Sequence, residues 1–130
     1  MSFGSIYEQF EKVCRDFPEK PALIYLGKSW RFSQLKESVE ILAANLLKMG
    51  ITRGDRVILY LSNTPQWVIS WLALLRIGAI SIPISPIYTP MDLKYMANDS
   101  GAETIFCLDT NFGYVSQILP ETGLKRVIVT

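Results

Sequence analysis

Between Val57 and Met91 the chain carries one charged side chain, Arg76. A segment this apolar must be covered on several sides, so it forms the central layer of whatever fold contains it. Its internal punctuation separates strand from helix. Gly54-Asp55 turns the chain into a strand at Arg56–Leu61. Thr64-Pro65 then supplies an N-cap with proline at the first helical position, and Gly78 ends that helix. A second apolar strand follows at Ala79–Ile84. Strands that are apolar without alternation are those of a parallel sheet, buried on both faces.

The same alternation continues. Thr89-Pro90-Met91-Asp92 repeats the cap-then-proline start, now with a carboxylate three residues after the cap. A helix over Met91–Asp99, a strand over Thr104–Leu108, a short helix near Phe112–Leu119 and a strand over Arg126–Val129 are predicted. Upstream, Ile6, Phe10, Val13 and Phe17 recur at helical spacing. Ala22–Leu26 and Ser29–Phe32 flank a hairpin turn at Gly27-Lys28. Ser33 opens a helix with the apolar face Leu35, Val39, Leu42, Ala43 and Leu46, closed by Gly50 in the left-handed region. The expected fold is α/β: a mostly parallel sheet with helices on its faces, plus an N-terminal helix and hairpin.

Composition narrows the function. Thirteen basic and twelve acidic residues leave a net charge of +1, which gives no electrostatic reason to propose nucleic acid or anionic lipid as a partner. Histidine is absent. That removes imidazole bases, Ser-His and Cys-His nucleophile pairs and histidine-held metals together, and no metal site is expected. Cys14 and Cys107 form no CxxC motif and read as free, buried thiols of a reducing compartment. The N-terminus, MSFGSIYEQFEK, lacks a basic leader with an apolar core, so a cytoplasmic location is expected. Trp67–Ile84 is apolar, but Arg76, Gly78 and Pro83 interrupt it, so no transmembrane segment is expected. Hydrophobic content is 49 %, which suggests that part of the apolar surface packs against something further. Val127–Thr130 stops within an apolar strand, and a bare parallel edge is an association hazard. Thr130 is therefore expected to be a boundary inside a longer polypeptide.

Few residues suggest chemistry. Gly27-Lys28-Ser29 resembles the end of a phosphate-binding loop, but Ala22 stands where that loop needs glycine and no helix follows at once. No G-x-G-x-x-G occurs. Asp55 precedes a strand and reads as a turn residue. Trp67 and Trp71, four apart on an apolar helix, read as core. Open parallel sheets bind ligands at the carboxyl ends of their strands, which here are Ser62–Thr64, Ser85–Thr89 and Asp109–Asn111. Asn63, Thr64, Thr89 and Asn111 also suit helix and turn caps, which need no ligand. Ser85, Pro86 and Tyr88 are least accounted for by capping and are the candidate ligand contacts.

Five ordered blocks carry a family resemblance. They are Gly50-Ile51-Thr52-Arg53-Gly54-Asp55-Arg56-Val57, Leu61-Ser62-Asn63-Thr64-Pro65, Leu75-Arg76-Ile77-Gly78-Ala79, Pro83-Ile84-Ser85-Pro86-Ile87-Tyr88-Thr89-Pro90 and Asn98-Asp99-Ser100-Gly101-Ala102. Together they resemble the N-terminal region of adenylate-forming (AMP-binding) enzymes, most closely the long- and medium-chain fatty acid–CoA ligases. The resemblance implies a two-step reaction: a carboxylate attacks the α-phosphate of Mg²⁺-bound ATP, then the thiol of coenzyme A displaces AMP to give the thioester. It implies that residues 1–130 are an N-terminal part of the adenylation domain. The family's phosphate loop, its ribose-holding aspartate and its catalytic lysine would lie beyond Thr130, so no catalytic residue is assigned here and the 130-residue chain is expected to be inactive. ATP, Mg²⁺, coenzyme A and a fatty acid would serve the whole enzyme, and the rest of that enzyme would be this chain's missing packing partner. The resemblance also places Ser85, Pro86 and Tyr88 near the mouth through which the pantetheine arm enters, with Ser85 standing where the family often has asparagine. The alternative is a freestanding, non-catalytic α/β interaction or scaffold module of the same ancestry. A third reading is peripheral membrane binding through exposed aromatics.

Overall fold

The computed structural model describes residues 4–130. Met1–Phe3 lie outside the described residues. The elements follow in the order α1 (Ile6–Asp16), β1 (Pro21–Tyr25), β2 (Lys28–Arg31), α2 (Phe32–Lys48), β3 (Arg56–Tyr60), α3 (Pro65–Ile77) and β4 (Ile80–Ile84). Then come α4 (Pro90–Ser100), β5 (Thr104–Cys107), α5 (Phe112–Ile118) and β6 (Arg126–Val129). β1 and β2 form an antiparallel hairpin, and the other four strands form a parallel sheet in the order β4-β3-β5-β6. The expected α/β architecture is the observed one.

Strand alternation divides the core into two. Val57 and Leu59 of β3, with Phe106 of β5, face a cluster built with Leu35, Val39, Ala43 and Leu46 of α2 and Leu72–Leu74 of α3. Ile58, Tyr60, Ile105 and Cys107 face the opposite cluster, built with Leu93 and Ala97 of α4 and Val115 and Ile118 of α5. Successive residues of one strand thus feed opposite sides of the sheet. β3 and β5 are interior strands and almost wholly buried, whereas β4 and β6 are edges and partly exposed. Pro83 is accommodated because β4 is an edge among the described residues, paired there on one side by β3.

The helix ends explain the order. Thr64 and Thr89 cap α3 and α4, and Gly78 and Gly101 end them with φ of 78° and 70°. At the amino edge of the sheet, Arg56 Nη1 donates to the Ser100 carbonyl at 2.6 Å and Arg126 Nε donates to the Met49 carbonyl at 3.0 Å. Two strand-borne guanidiniums therefore satisfy the carbonyl ends of α4 and α2. Asp55 is the turn residue expected of it: its carboxylate accepts from the Thr52 backbone N–H at 2.8 Å.

Four local expectations need correction. On α1 the buried residues are Tyr7 and Cys14, while Phe10 and Val13 are half-buried and Ile6 and Phe17 exposed. Distant partners decide this rotation. Arg76 Nη1 donates to the Tyr7 hydroxyl at 3.1 Å, and the Cys14 thiol lies 3.7 Å from the Phe32 carbonyl. The hairpin turn centres on Leu26-Gly27, with Tyr25 paired to Lys28. Both turn residues have positive φ, 49° and 79°, the two-residue turn that matches strand twist. Helix α2 begins one residue before Ser33, and its cap works in reverse: Gln34 Oε1 accepts from the Arg31 N–H at 2.9 Å. Trp67 and Trp71 pack against the core cluster but are only half-buried, not fully enclosed; they stack on each other at 5.7 Å and also line surface clefts.

Both cysteines are free and buried, as expected. Burial pushes the Cys107 thiol up to about 11 and also raises the Tyr7 and Tyr60 hydroxyls. In the unfolded chain a thiol ionises near its ordinary value of about 8.5. Between that pH and about 11 the unfolded chain sheds a proton that the native chain keeps. The Cys107 contribution to stability is therefore full below about pH 8.5 and is lost as pH rises toward 11, on the order of 3 kcal/mol. Urea midpoints measured across this window will fall, and will fall less in a Cys107→Ala chain.

Candidate functional site

The carboxyl ends of β3, β4 and β5 lie side by side because the strands are parallel and in register: Tyr60 is level with Ile84 and with Cys107. Three loops leave this edge. The first two enclose an open cleft of about 450 Å³ lined by Leu61, Ser62, Asn63, Trp67, Pro83, Ile84, Ser85 and Pro86. Its lining holds hydroxyls, one carboxamide and apolar surface, and no ionisable group. Such a lining can bind a neutral ligand by packing and hydrogen bonds. It holds no partner to activate a serine hydroxyl, which needs an adjacent base.

The candidate contacts separate on inspection. Ser85 and Pro86 line the cleft. The Ser85 hydroxyl also accepts from the Ile87 N–H at 3.4 Å, so it does cap a turn. Tyr88 does not line the cleft; its backbone carbonyl is the anchored group, accepting from the Tyr60 hydroxyl at 2.7 Å. Asn63 is exposed and lines this cleft and a second pocket of about 280 Å³ against β1. The Thr64 oxygen accepts from the Trp67 N–H at 3.4 Å, and Thr89 forms a reciprocal cap with Asp92. Asn111 is buried within the third loop: its Oδ1 accepts from Leu108 N–H at 2.8 Å and its Nδ2 donates to the Tyr60 carbonyl at 3.5 Å. The third loop thus braces the edge from behind instead of lining the cleft.

Tyr60 is the residue that sequence reasoning missed. Its ring is fully buried at the end of β3. Its hydroxyl reaches the carbonyls of Tyr88, at 2.7 Å, and Pro86, at 3.3 Å. One side chain therefore ties the Ser85–Thr89 loop to the central strand. The available signal was chemical: a tyrosine closing a buried strand must find a partner for its hydroxyl. Among the described residues no buried side-chain polar atom lacks a partner, no acidic or thiol cluster suits a metal ion, and no helix is long and apolar enough to cross a membrane.

Comparison with known proteins places this geometry. The chain is 34% identical over 129 residues to a long-chain-fatty-acid–CoA ligase of Haemophilus influenzae, covering 98% of this chain and 23% of that protein. The chain thus spans under a quarter of its relative's length. Among solved structures, a long-chain-fatty-acid-CoA ligase from Archaeoglobus fulgidus matches with a TM-score of 0.92 at 28% identity, over 97% of this chain and 27% of that one. A benzoate CoA ligase from Burkholderia xenovorans LB400 matches with a TM-score of 0.90 at 22% identity, over 98% of this chain and 26% of that one, a likeness of fold. The family model described as AMP-binding enzyme matches residues 10–129, so the chain belongs to the AMP-binding enzyme family.

Proposed function

We propose that residues 1–130 are the supporting first part of the adenylation domain of a cytoplasmic, ATP-dependent fatty acid–CoA ligase. The observation that carries this reading is the 34% identity to a long-chain-fatty-acid–CoA ligase over nearly the whole chain. In the proposed reaction a carboxylate oxygen attacks the α-phosphate of ATP and expels pyrophosphate. The thiol of coenzyme A then attacks the acyl carbonyl and expels AMP.

The residues present suit one of these ligands better than the others. A triphosphate with Mg²⁺ calls for cations, backbone N–H groups and carboxylates around it, and the cleft lining is neutral. We assign no ATP, Mg²⁺ or catalytic contact to this chain. The pantetheine arm of coenzyme A is an uncharged chain of amides and methylenes. Ser62, Asn63 and Ser85 offer hydrogen-bonding groups for such amides, and Trp67 and Pro86 offer packing surface. On this reading Ser85 and Pro86 contact the arm, and Tyr88 acts through its backbone.

The substrate class is open to direct test. The full-length gene product, supplied with ATP, Mg²⁺ and coenzyme A, is expected to turn over long straight-chain fatty acids at least about tenfold more efficiently than benzoate, one decade being about 1.4 kcal/mol of discrimination. Equal or better turnover of benzoate would reject the fatty-acid reading while leaving the family intact.

A further inference from the structure

Both walls of the cleft are referred to one residue, Tyr60, by two different groups. Its hydroxyl holds the Ser85–Thr89 loop. Its carbonyl belongs to the peptide that leads into Leu61, and Leu61, Ser62 and Asn63 form the other wall. A peptide unit is planar, so restraining that carbonyl restrains the plane in which the chain leaves β3. The group that meets it is the buried carboxamide of Asn111, whose Nδ2 donates at 3.5 Å.

The turn that carries Asn111 is itself anchored. The Asn111 N–H donates to the Leu108 carbonyl at 3.2 Å. The Asp109 N–H donates to the Thr130 carbonyl at 3.0 Å, and the Thr130 N–H to the Cys107 carbonyl at 3.0 Å. The turn is thus closed on itself and tied to the end of β6. The carboxamide can face only one way. Its Oδ1 is committed to the Leu108 N–H at 2.8 Å, so its amino group points at β3. The pairing of β3 with β5 ends at Tyr60 and Cys107. Just beyond it, the carboxamide joins the next N–H of β5 to the last carbonyl of β3. It carries the link between the strands one step further, where the chain diverges into loops. A bond of 3.5 Å contributes little to stability; what it supplies is direction. With that donor removed, the peptide between Tyr60 and Leu61 loses its restraint from the β5 side.

We infer that Asn111, which lines none of the cleft, is a positioning residue: through the Tyr60 carbonyl it sets the Leu61–Asn63 wall, and so the fit of the pantetheine arm, an inference that rests on the proposed function. Two variants test it. Asn111→Ala removes both side-chain bonds; Asn111→Asp keeps an acceptor for the Leu108 N–H and removes the donor. In ¹⁵N relaxation of the 130-residue chain, the order parameters of the Leu61–Asn63 amides are expected to fall below about 0.6 in both, with those of β5 unchanged. In the full-length enzyme, the KM for coenzyme A should rise about fivefold in both, the size of one ordinary net hydrogen bond. The KM for ATP and kcat should not move, and agreement of the neutral with the acidic variant excludes an effect of charge. Asn98→Ala deletes a carboxamide that donates to the Glu121 carbonyl at 3.2 Å, outside the cleft lining, and should change neither readout. Unchanged order parameters overturn the inference, as does an equal effect of Asn98→Ala. So does a looser wall with an unchanged KM for coenzyme A, or a loss confined to kcat, the mark of a merely structural residue. An unsubstituted enzyme that forms no thioester with coenzyme A overturns the proposed function instead, and the order parameters then decide by themselves whether Asn111 holds the wall.

Discussion

Replacing Phe106 with alanine is expected to lower the unfolding free energy by about 3 kcal/mol, in the lower part of the usual range for such truncations. Phe106 sits on β5, an interior strand, and is almost fully buried among Val57, Leu59 and the inner faces of α2 and α3. Deleting the ring removes its transfer energy and leaves a cavity that neighbours on a rigid sheet cannot close. The estimate stays low in the range because the site adjoins an open cleft of about 160 Å³ beside Leu42, Ile69 and Ile128, through which water or a side-chain shift can fill part of the space. Against a total stability of about 5–15 kcal/mol for a typical domain, this is a large fraction. Urea unfolding should show the midpoint displaced at unchanged slope. A loss under about 1 kcal/mol would mean that β5 is not the interior strand described.

Tyr60→Phe is expected to release the Ser85–Thr89 loop with little change to the core. Phenylalanine keeps the buried ring, so the cluster of Ile58, Leu93 and Ile105 stays packed. What disappears is the hydroxyl that donates to the carbonyls of Tyr88 and Pro86. Losing such a donor costs about 1–2 kcal/mol, roughly a tenfold rise in the open population of the loop. The Tyr88 amide, now hydrogen-bonded to the Ser85 carbonyl at 3.2 Å, should exchange its hydrogen about tenfold faster. Amides of β3 should stay unchanged. On the proposed function, the full-length enzyme carrying Tyr60→Phe should show a raised KM for coenzyme A and an unchanged KM for ATP. Exchange that quickens without a change in the coenzyme A KM would keep the tether and discard the pantetheine role. Unchanged exchange would discard the tether itself.

The parallel sheet was legible because its determinants are local. Uninterrupted apolar runs mark doubly buried strands, and Thr64-Pro65, Thr89-Pro90, Gly78 and Gly101 state where helices begin and end. The errors fall where a distant partner or a strained residue decides. The buried face of α1 depends on Arg76, sixty-nine residues from Tyr7, which no helical period records. The hairpin turn lies one residue early because leucine occupies a left-handed position that its own preferences disfavour. At the candidate site, topology alone brought Ser85 and Pro86 to the carboxyl edge of the sheet, where both line the cleft. It could not show that Tyr88 contributes a carbonyl, or that Tyr60, twenty-eight residues upstream, holds it. Asn111 was legible as a cap because asparagine after a strand commonly folds back on its own backbone.

On the proposed function, this chain is a scaffold whose reactive groups belong to the rest of the enzyme. Release of AMP from ATP, with Mg²⁺, coenzyme A and a long-chain fatty acid present, tests it most directly. Release is expected from the full-length gene product and none above blank from the purified 130-residue chain. Turnover by the short chain would contradict it, because the catalytic groups would then be among the residues described.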